Sequence, residues 1–180
     1  MVYLPIVNAA EVVIIGGGLA GLTAALDLAT RGKEVLVIEK NRYPHHKVCG
    51  EYVSNEVRPY LYSLGLDVGE LAPVEIEQLQ LGTFSGKMAK VKLPLGGFGI
   101  SRYALDNHLY ELAKRKGVVF HFDTVLDIIF EGNTFVLKLS SKTITASVVI
   151  GAFGKRSNLD KRLNRSEERR VGKECRSRWS

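Results

Sequence analysis

The chain has 180 residues, enough for a domain with its own core, and 46% of them are hydrophobic, which excludes a disordered or fibrous protein. Its formal charge of +6 would ordinarily raise nucleic acid as a partner. Two cysteines, Cys49 and Cys175, make no disulfide framework, and Val2–Val7 is broken by Pro5 and lacks the basic lead of a signal peptide. The apolar stretch at Val12–Ala29 holds three consecutive glycines and Asp27, so it reads as a strand–helix unit rather than a membrane span. A soluble cytoplasmic protein is the expectation.

Val12–Ile15 is a short β-branched run, the pattern of a buried parallel strand. It ends at Gly16-Gly17-Gly18-Leu19-Ala20-Gly21, a G-x-G-x-x-G in which Gly16 permits the tight turn, Gly18 lets a pyrophosphate approach and Gly21 lets helix and strand pack closely. Leu22, Ala25, Leu26 and Ala29 then give one apolar helical face, and Gly32 stands where a left-handed cap would end that helix. A second apolar strand, Val35–Ile38, terminates in Glu39, whose carboxylate can accept hydrogen bonds from both ribose hydroxyls of an adenosine. The order strand, glycine turn, helix, strand, acid defines an adenine-dinucleotide site, with the helix N-terminus facing the phosphates.

Lys40–Lys47 is a polar loop whose Lys40, Arg42 and Lys47 could neutralise a pyrophosphate or simply be solvated. His45 and His46 have no third ligand at metal-site spacing, so they are expected to be loop histidines and no metal is assigned. Cys49 is expected to be a small buried thiol. A short helix follows, with Ser54 as N-cap, Val57, Tyr60, Leu61 and Leu64 as its stripe and Gly65 at its end. From Val74 to Leu93 the period becomes two, slipping phase near Glu77, with a turn at Ser85-Gly86-Lys87; this predicts a hairpin with one wet face and a bulge, on a separate sheet. Leu95–Arg102 reads as a flexible approach to a helix bearing Leu105, Leu109, Leu112 and Ala113. Val118–Phe122 returns to the parallel sheet, Thr124–Phe130 and Thr134–Leu139 form a hairpin about Glu131-Gly132-Asn133, and Thr143–Ile150 is a last strand.

Arg165–Ser180 has no apolar period and matches, residue by residue, the in-frame translation of a common short-read sequencing adapter. It carries six Lys/Arg and three Glu, so +3 of the net +6 lies there and nucleic acid loses its support as a partner. The tail is expected to be artefactual and disordered with Trp179 exposed, and the native chain to continue beyond residue 164.

With these pieces in place the chain resembles the FAD-dependent oxidoreductases of the para-hydroxybenzoate hydroxylase fold, most closely the geranylgeranyl reductase and flavin-dependent halogenase or monooxygenase branch. Four patterns carry the resemblance: the glycine turn with Glu39, Lys47-Val48-Cys49-Gly50, Arg102 with Leu105-Asp106 and Leu109, and Val148–Ser157. In the last, Phe153 stands where the family usually has Asp, which weakens any carry-over of NAD(P)H use. The resemblance implies an α/β, Rossmann-like FAD/NAD(P)-binding domain with a parallel sheet at 1–70 and 99–164, C-terminally truncated, with the start of a β-rich substrate subdomain at 71–98. It implies FAD as cofactor, with NAD(P)H a candidate reductant. The implied contacts are Gly16, Gly18, Leu19, Ala20, Gly21, Glu39, Lys40, Lys47, Cys49, Gly50, Arg102, Val125, Gly151 and Gly154. The substrate would be a small apolar, isoprenoid or aromatic molecule, with no nucleic acid and at most peripheral membrane contact. The alternatives are an NAD-binding Rossmann dehydrogenase and a truncated fragment without activity of its own; no catalytic residue can be named.

Overall fold

The structure, a computed structural model, describes residues 9–154 and 157–163. The expectations for Lys155, Arg156 and the tail at 165–180 lie outside those residues. The chain divides into two compact units, residues 1–41 with 118–180, and residues 42–117.

The first unit is built on a six-stranded sheet. β1 (Ala9–Ile15), α1 (Leu19–Thr30) and β2 (Val35–Glu39) form the opening βαβ unit, and β6 (Val119–Phe122), β7 (Val125–Glu131), β8 (Thr134–Leu139) and β9 (Thr143–Gly151) complete the sheet in the order β6-β2-β1-β9-β8-β7. β6, β2, β1 and β9 run parallel, whereas β7, β8 and β9 are antiparallel neighbours. β1 and β2 are buried because both their faces are covered, which is why they read as unbroken apolar runs rather than alternating ones. Val13, Ile15, Leu36 and Ile38 join Leu137, Ile144 and Leu159 in one core. Val12, Ile14, Val35 and Val37 point the other way, and α1, which contacts both strands, buries Leu22, Ala25 and Leu26. The helix ends as its sequence specifies: Gly32 takes φ +75°, its N–H reaches Ala29 O, and Lys33 N–H reaches Leu28 O, a Schellman motif.

The second unit holds a three-stranded antiparallel sheet, β3 (Tyr52–Ser54), β5 (Met88–Gly99) and β4 (Val74–Gly82), with α2 (Arg58–Ser63) and α3 (Arg102–Arg115). The bulge falls between Ile76 and Gln78, where the alternation slips. Three expectations are corrected. Leu95–Gly99 is not a flexible approach but the end of β5, where Gly97 and Gly99 pair with β3 on one side and β4 on the other. A Cβ at Gly97 would lie 2.4 Å from the Tyr52 ring, so glycine here serves strand packing rather than flexibility. The hairpin is exposed on both faces between Gln78 and Lys92, Leu79 and Val91 included. Tyr60, assigned to the buried stripe of α2, is also exposed; Leu61 and Leu64 bury and Ser54 caps a short 3₁₀ turn ahead of the helix. Among the described residues no helix is long and apolar enough to cross a membrane.

Candidate nucleotide-binding site

β1 delivers the chain into the turn at Gly16, whose N–H donates to Ile38 O at 2.8 Å and whose φ is +103°. A Cβ there would lie 2.5 Å from the Ala152 carbonyl oxygen and 2.8 Å from Phe153 Cα. At Gly21 the constraint is tighter still: a Cβ would fall 1.9 Å from the Gly16 carbonyl oxygen. Two of the motif's glycines are therefore required by the protein's own packing, before any ligand enters the argument. Gly18 is the N-cap of α1 in extended conformation and brings no side chain to cap it, and the first turn contains no acid. The amides of Leu19, Ala20 and Gly21 and the positive end of a twelve-residue helix are thus left for an anion.

Glu39, only 7% exposed, ends β2 beside this turn. One carboxylate oxygen accepts Gly17 N–H at 2.7 Å and the other accepts Asn41 N–H at 3.1 Å. Each oxygen keeps a lone pair, so the same group can hold the turn and still accept from a ribose. Glu39 lines a cleft of about 360 Å³ together with Gly16, Lys40, Asp123, Val125 and Phe153. Four of the sequence-derived residues, Gly16, Glu39, Lys40 and Val125, thus meet on one cleft. Gly151 ends β9 opposite Ile15, where a Cβ would press to 2.9 Å of the Phe153 ring, and Gly154 follows with φ +69°.

Asp123, which sequence reasoning passed over, lines the same cleft. Burial pushes its carboxyl up, but hydrogen bonds from the Ser141 hydroxyl and from the Thr124 and Ser141 amides, with His121 nearby, outweigh that and hold it below the usual range. A carboxylate depressed on folding contributes stability that is present above its ordinary pKa and lost as pH falls through the lowered value. An acid titration followed by circular dichroism should show Asp123→Asn less stable than the parent near neutrality, with the difference shrinking below about pH 4.

The second unit carries Lys47, Cys49, Gly50 and Arg102. Cys49 is exposed, not buried, and its sulfur accepts Glu51 N–H at 3.4 Å. Gly50 has open space where a Cβ would stand. Arg102 is the first residue of α3, behind the Ser101 cap, a place where the helix dipole opposes a cation. Its partner is Asp106, one turn on and 1% exposed. Nε donates to Oδ1 at 2.7 Å, Nη2 to Oδ2 at 2.8 Å, and Lys47 Nζ donates to Oδ2 at 2.9 Å. Those Asp106 hydrogen bonds raise the guanidinium's pKa against the effect of burial, and Cys49 adds to them. Sequence reasoning missed Asp106 as a site residue; the signal was an acid at i+4 from Arg102, beside Leu105 on the buried helix face.

Residues 11–51, the glycine turn through Glu51, match the family model of the FAD dependent oxidoreductases (DAO). The menaquinone reductase of Mycobacterium tuberculosis is 27% identical over 172 residues, covering 88% of this chain and 41% of that protein. Among solved structures, p-nitrophenol 4-monooxygenase PnpA from Pseudomonas putida superposes with a TM-score of 0.74 at 19% identity, over 85% of this chain and 43% of that one. The myxobacterial chondrochloren halogenase CndH, an FAD-dependent halogenase, does so with a TM-score of 0.72 at 22% identity, over 86% and 39%. The fold is the Rossmann-like fold of FAD-binding flavoproteins, and FAD is the cofactor that fold and family match together support. The chain spans about two fifths of the length of the curated relatives it matches.

Proposed function

We propose that the chain is the FAD-binding part of a flavin-dependent oxidoreductase acting on a small apolar substrate of isoprenoid or aromatic type. One observation carries the reading: an uncapped, acid-free helix N-terminus stands behind a turn where Gly16 and Gly21 admit no side chain, with a buried carboxylate one strand away. Gly18, Leu19, Ala20 and Gly21 would receive the pyrophosphate, Glu39 the adenosine ribose, and Lys40 and Val125 the rim and wall of the adenine end. Gly151 and Gly154 complete the proposed cofactor contacts of the first unit, and Lys47, Cys49, Gly50 and Arg102 are proposed as cofactor contacts on the resemblance of their own motifs alone. The flavin itself supplies the redox chemistry; the protein's part is to bind it, orient it and control access. Residues 71–98 are assigned to the substrate side. Reduction of an isoprenoid quinone-like molecule is favoured over hydroxylation or halogenation. Its support is the match to a menaquinone reductase along most of the chain; Phe153, standing where the family usually has Asp, weakens the carry-over of aromatic hydroxylation.

The purified protein should be yellow, with the two visible absorption bands of an oxidised flavin, or should acquire them on incubation with FAD. A colourless protein that takes up NAD but no flavin would overturn the reading in favour of a pyridine-nucleotide dehydrogenase.

A further inference from the structure

The free end of the β4–β5 hairpin sorts its side chains by face. Cross-strand pairing sets Leu79 against Val91 and Leu81 against Ala89 on one face, and Gln78 against Lys92 and Gln80 against Lys90 on the other. Leu79, Leu81 and Val91 are all exposed. The turn between the strands is closed by its own hydrogen bonds: Thr83 N–H to Lys87 O at 2.9 Å, Gly86 N–H to Thr83 O at 3.0 Å, and Lys87 N–H to Thr83 Oγ1 at 3.1 Å. That turn presents Phe84 wholly to solvent. Tight turns favour small or polar residues, so nothing local asks for a phenyl ring there. Exposed apolar side chains are ordinary when they stand singly. A run of them along one face of a ribbon, ending in an aromatic tip, marks a surface that meets something apolar.

Charge narrows what that is. From Gln78 to Leu105 the sequence has no acid, and Lys87, Lys90 and Lys92 fall within the hairpin. None of the three takes part in an ion pair among the described residues. A second copy of the chain would set three like charges against three. Interfaces between proteins are depleted of lysine and enriched in arginine, whereas this ribbon carries lysine alone. An anionic lipid surface offers both halves of what the ribbon presents. It has an apolar layer for the leucines, Val91 and Phe84, and phosphates that the ammonium groups reach on their flexible stems.

We propose that the tip of the β4–β5 hairpin is a lipid-docking element: its apolar face and Phe84 lie in the headgroup boundary of an anionic membrane, with Lys87, Lys90 and Lys92 on the lipid phosphates. The contact is peripheral. Between Gln78 and Lys92 the two strands pair only with each other among the described residues, and unpaired strand edges are too costly to sink into hydrocarbon. Docking of this kind belongs to the hairpin alone and holds whether or not the first unit binds a flavin.

The test is co-sedimentation of the purified protein with vesicles of phosphatidylcholine, alone or mixed with phosphatidylglycerol. The parent should bind the mixed vesicles, bind phosphatidylcholine alone far more weakly, and be released by added salt. Replacing Lys87, Lys90 and Lys92 together by Gln should cost about fivefold per lysine, on the order of a hundredfold in all. Phe84→Ser, which suits the turn, should cost roughly tenfold or more. In Phe84→Trp the emission should move to shorter wavelength on adding mixed vesicles, by more than any shift from Trp179 in the parent. The basic stretch at 165–180 remains in every variant, so binding that it carries would persist in all of them and overturn the proposal. Equal binding to both vesicle types overturns it as well, since apolar adhesion alone would then suffice. So does a parent that binds neither. A dimer seen by analytical ultracentrifugation without lipid, and lost in Phe84→Ser, assigns the face to a second copy instead. Folding of each variant is checked by circular dichroism; should the triple variant not fold, Phe84→Ser decides, and undiminished binding there overturns the proposal.

Discussion

Gly21→Val should abolish flavin binding and cost at least about 3 kcal/mol of stability, the upper part of the range for forcing atoms into a packed site. The added Cβ alone would stand 1.9 Å from the Gly16 carbonyl oxygen, and backbone cannot retreat as a flexible side chain can. Relief requires α1 to move off β1, which carries with it the Leu19, Ala20 and Gly21 amides and separates Leu22, Ala25 and Leu26 from the sheet. Gly21→Ala tests the same clash with the smallest side chain and should behave alike. Thermal unfolding and an FAD titration check both; Gly32→Ala is the control. Its Cβ meets nothing within 4 Å, so the change should cost only the strain of φ +75°, about 1 kcal/mol, and leave FAD affinity unchanged.

Glu39→Ala should act twice. Removing the carboxylate deletes its hydrogen bonds from Gly17 N–H and Asn41 N–H, and losing bonds to a charged acceptor costs about 1–3 kcal/mol of stability even without cofactor. It also deletes the proposed charge-assisted bonds to the ribose, for a further loss of roughly ten- to a hundredfold in FAD affinity. Glu39→Gln separates the two effects, since its amide oxygen can still accept Gly17 N–H while the NH₂ faces Asn41 N–H as a second donor. It should retain most of the stability and lose part of the affinity. Melting curves of the cofactor-free variants and calorimetric FAD titrations read the two effects independently. An alanine variant unchanged in both would reduce Glu39 to a strand end.

The sequence by itself determined the nucleotide half of the fold. Buried parallel strands must be apolar on both faces, a G-x-G-x-x-G turn between such strands admits few backbones, and Gly32 marks a helix end by conformation alone; each is a local property and each is found where the residues place it. The hairpin at Glu131-Gly132-Asn133 and the bulge after Ile76 are legible for the same reason, since turn chemistry and a slip in period act over a few residues. What only the tertiary structure decided are pairings between distant residues. Glu39 reads as a ribose ligand, but its grip on Gly17 across 22 positions follows from the parallel register of β1 and β2. Leu95–Gly99 looks flexible from its glycines until two neighbouring strands close on it, because glycine's missing Cβ serves close packing as readily as mobility. Lys47 and Asp106 lie 59 positions apart, and no spacing rule joins them. Their meeting on a buried oxygen turns Arg102 from a cation in need of a partner into one that is already held, and that is a fact of three-dimensional proximity alone.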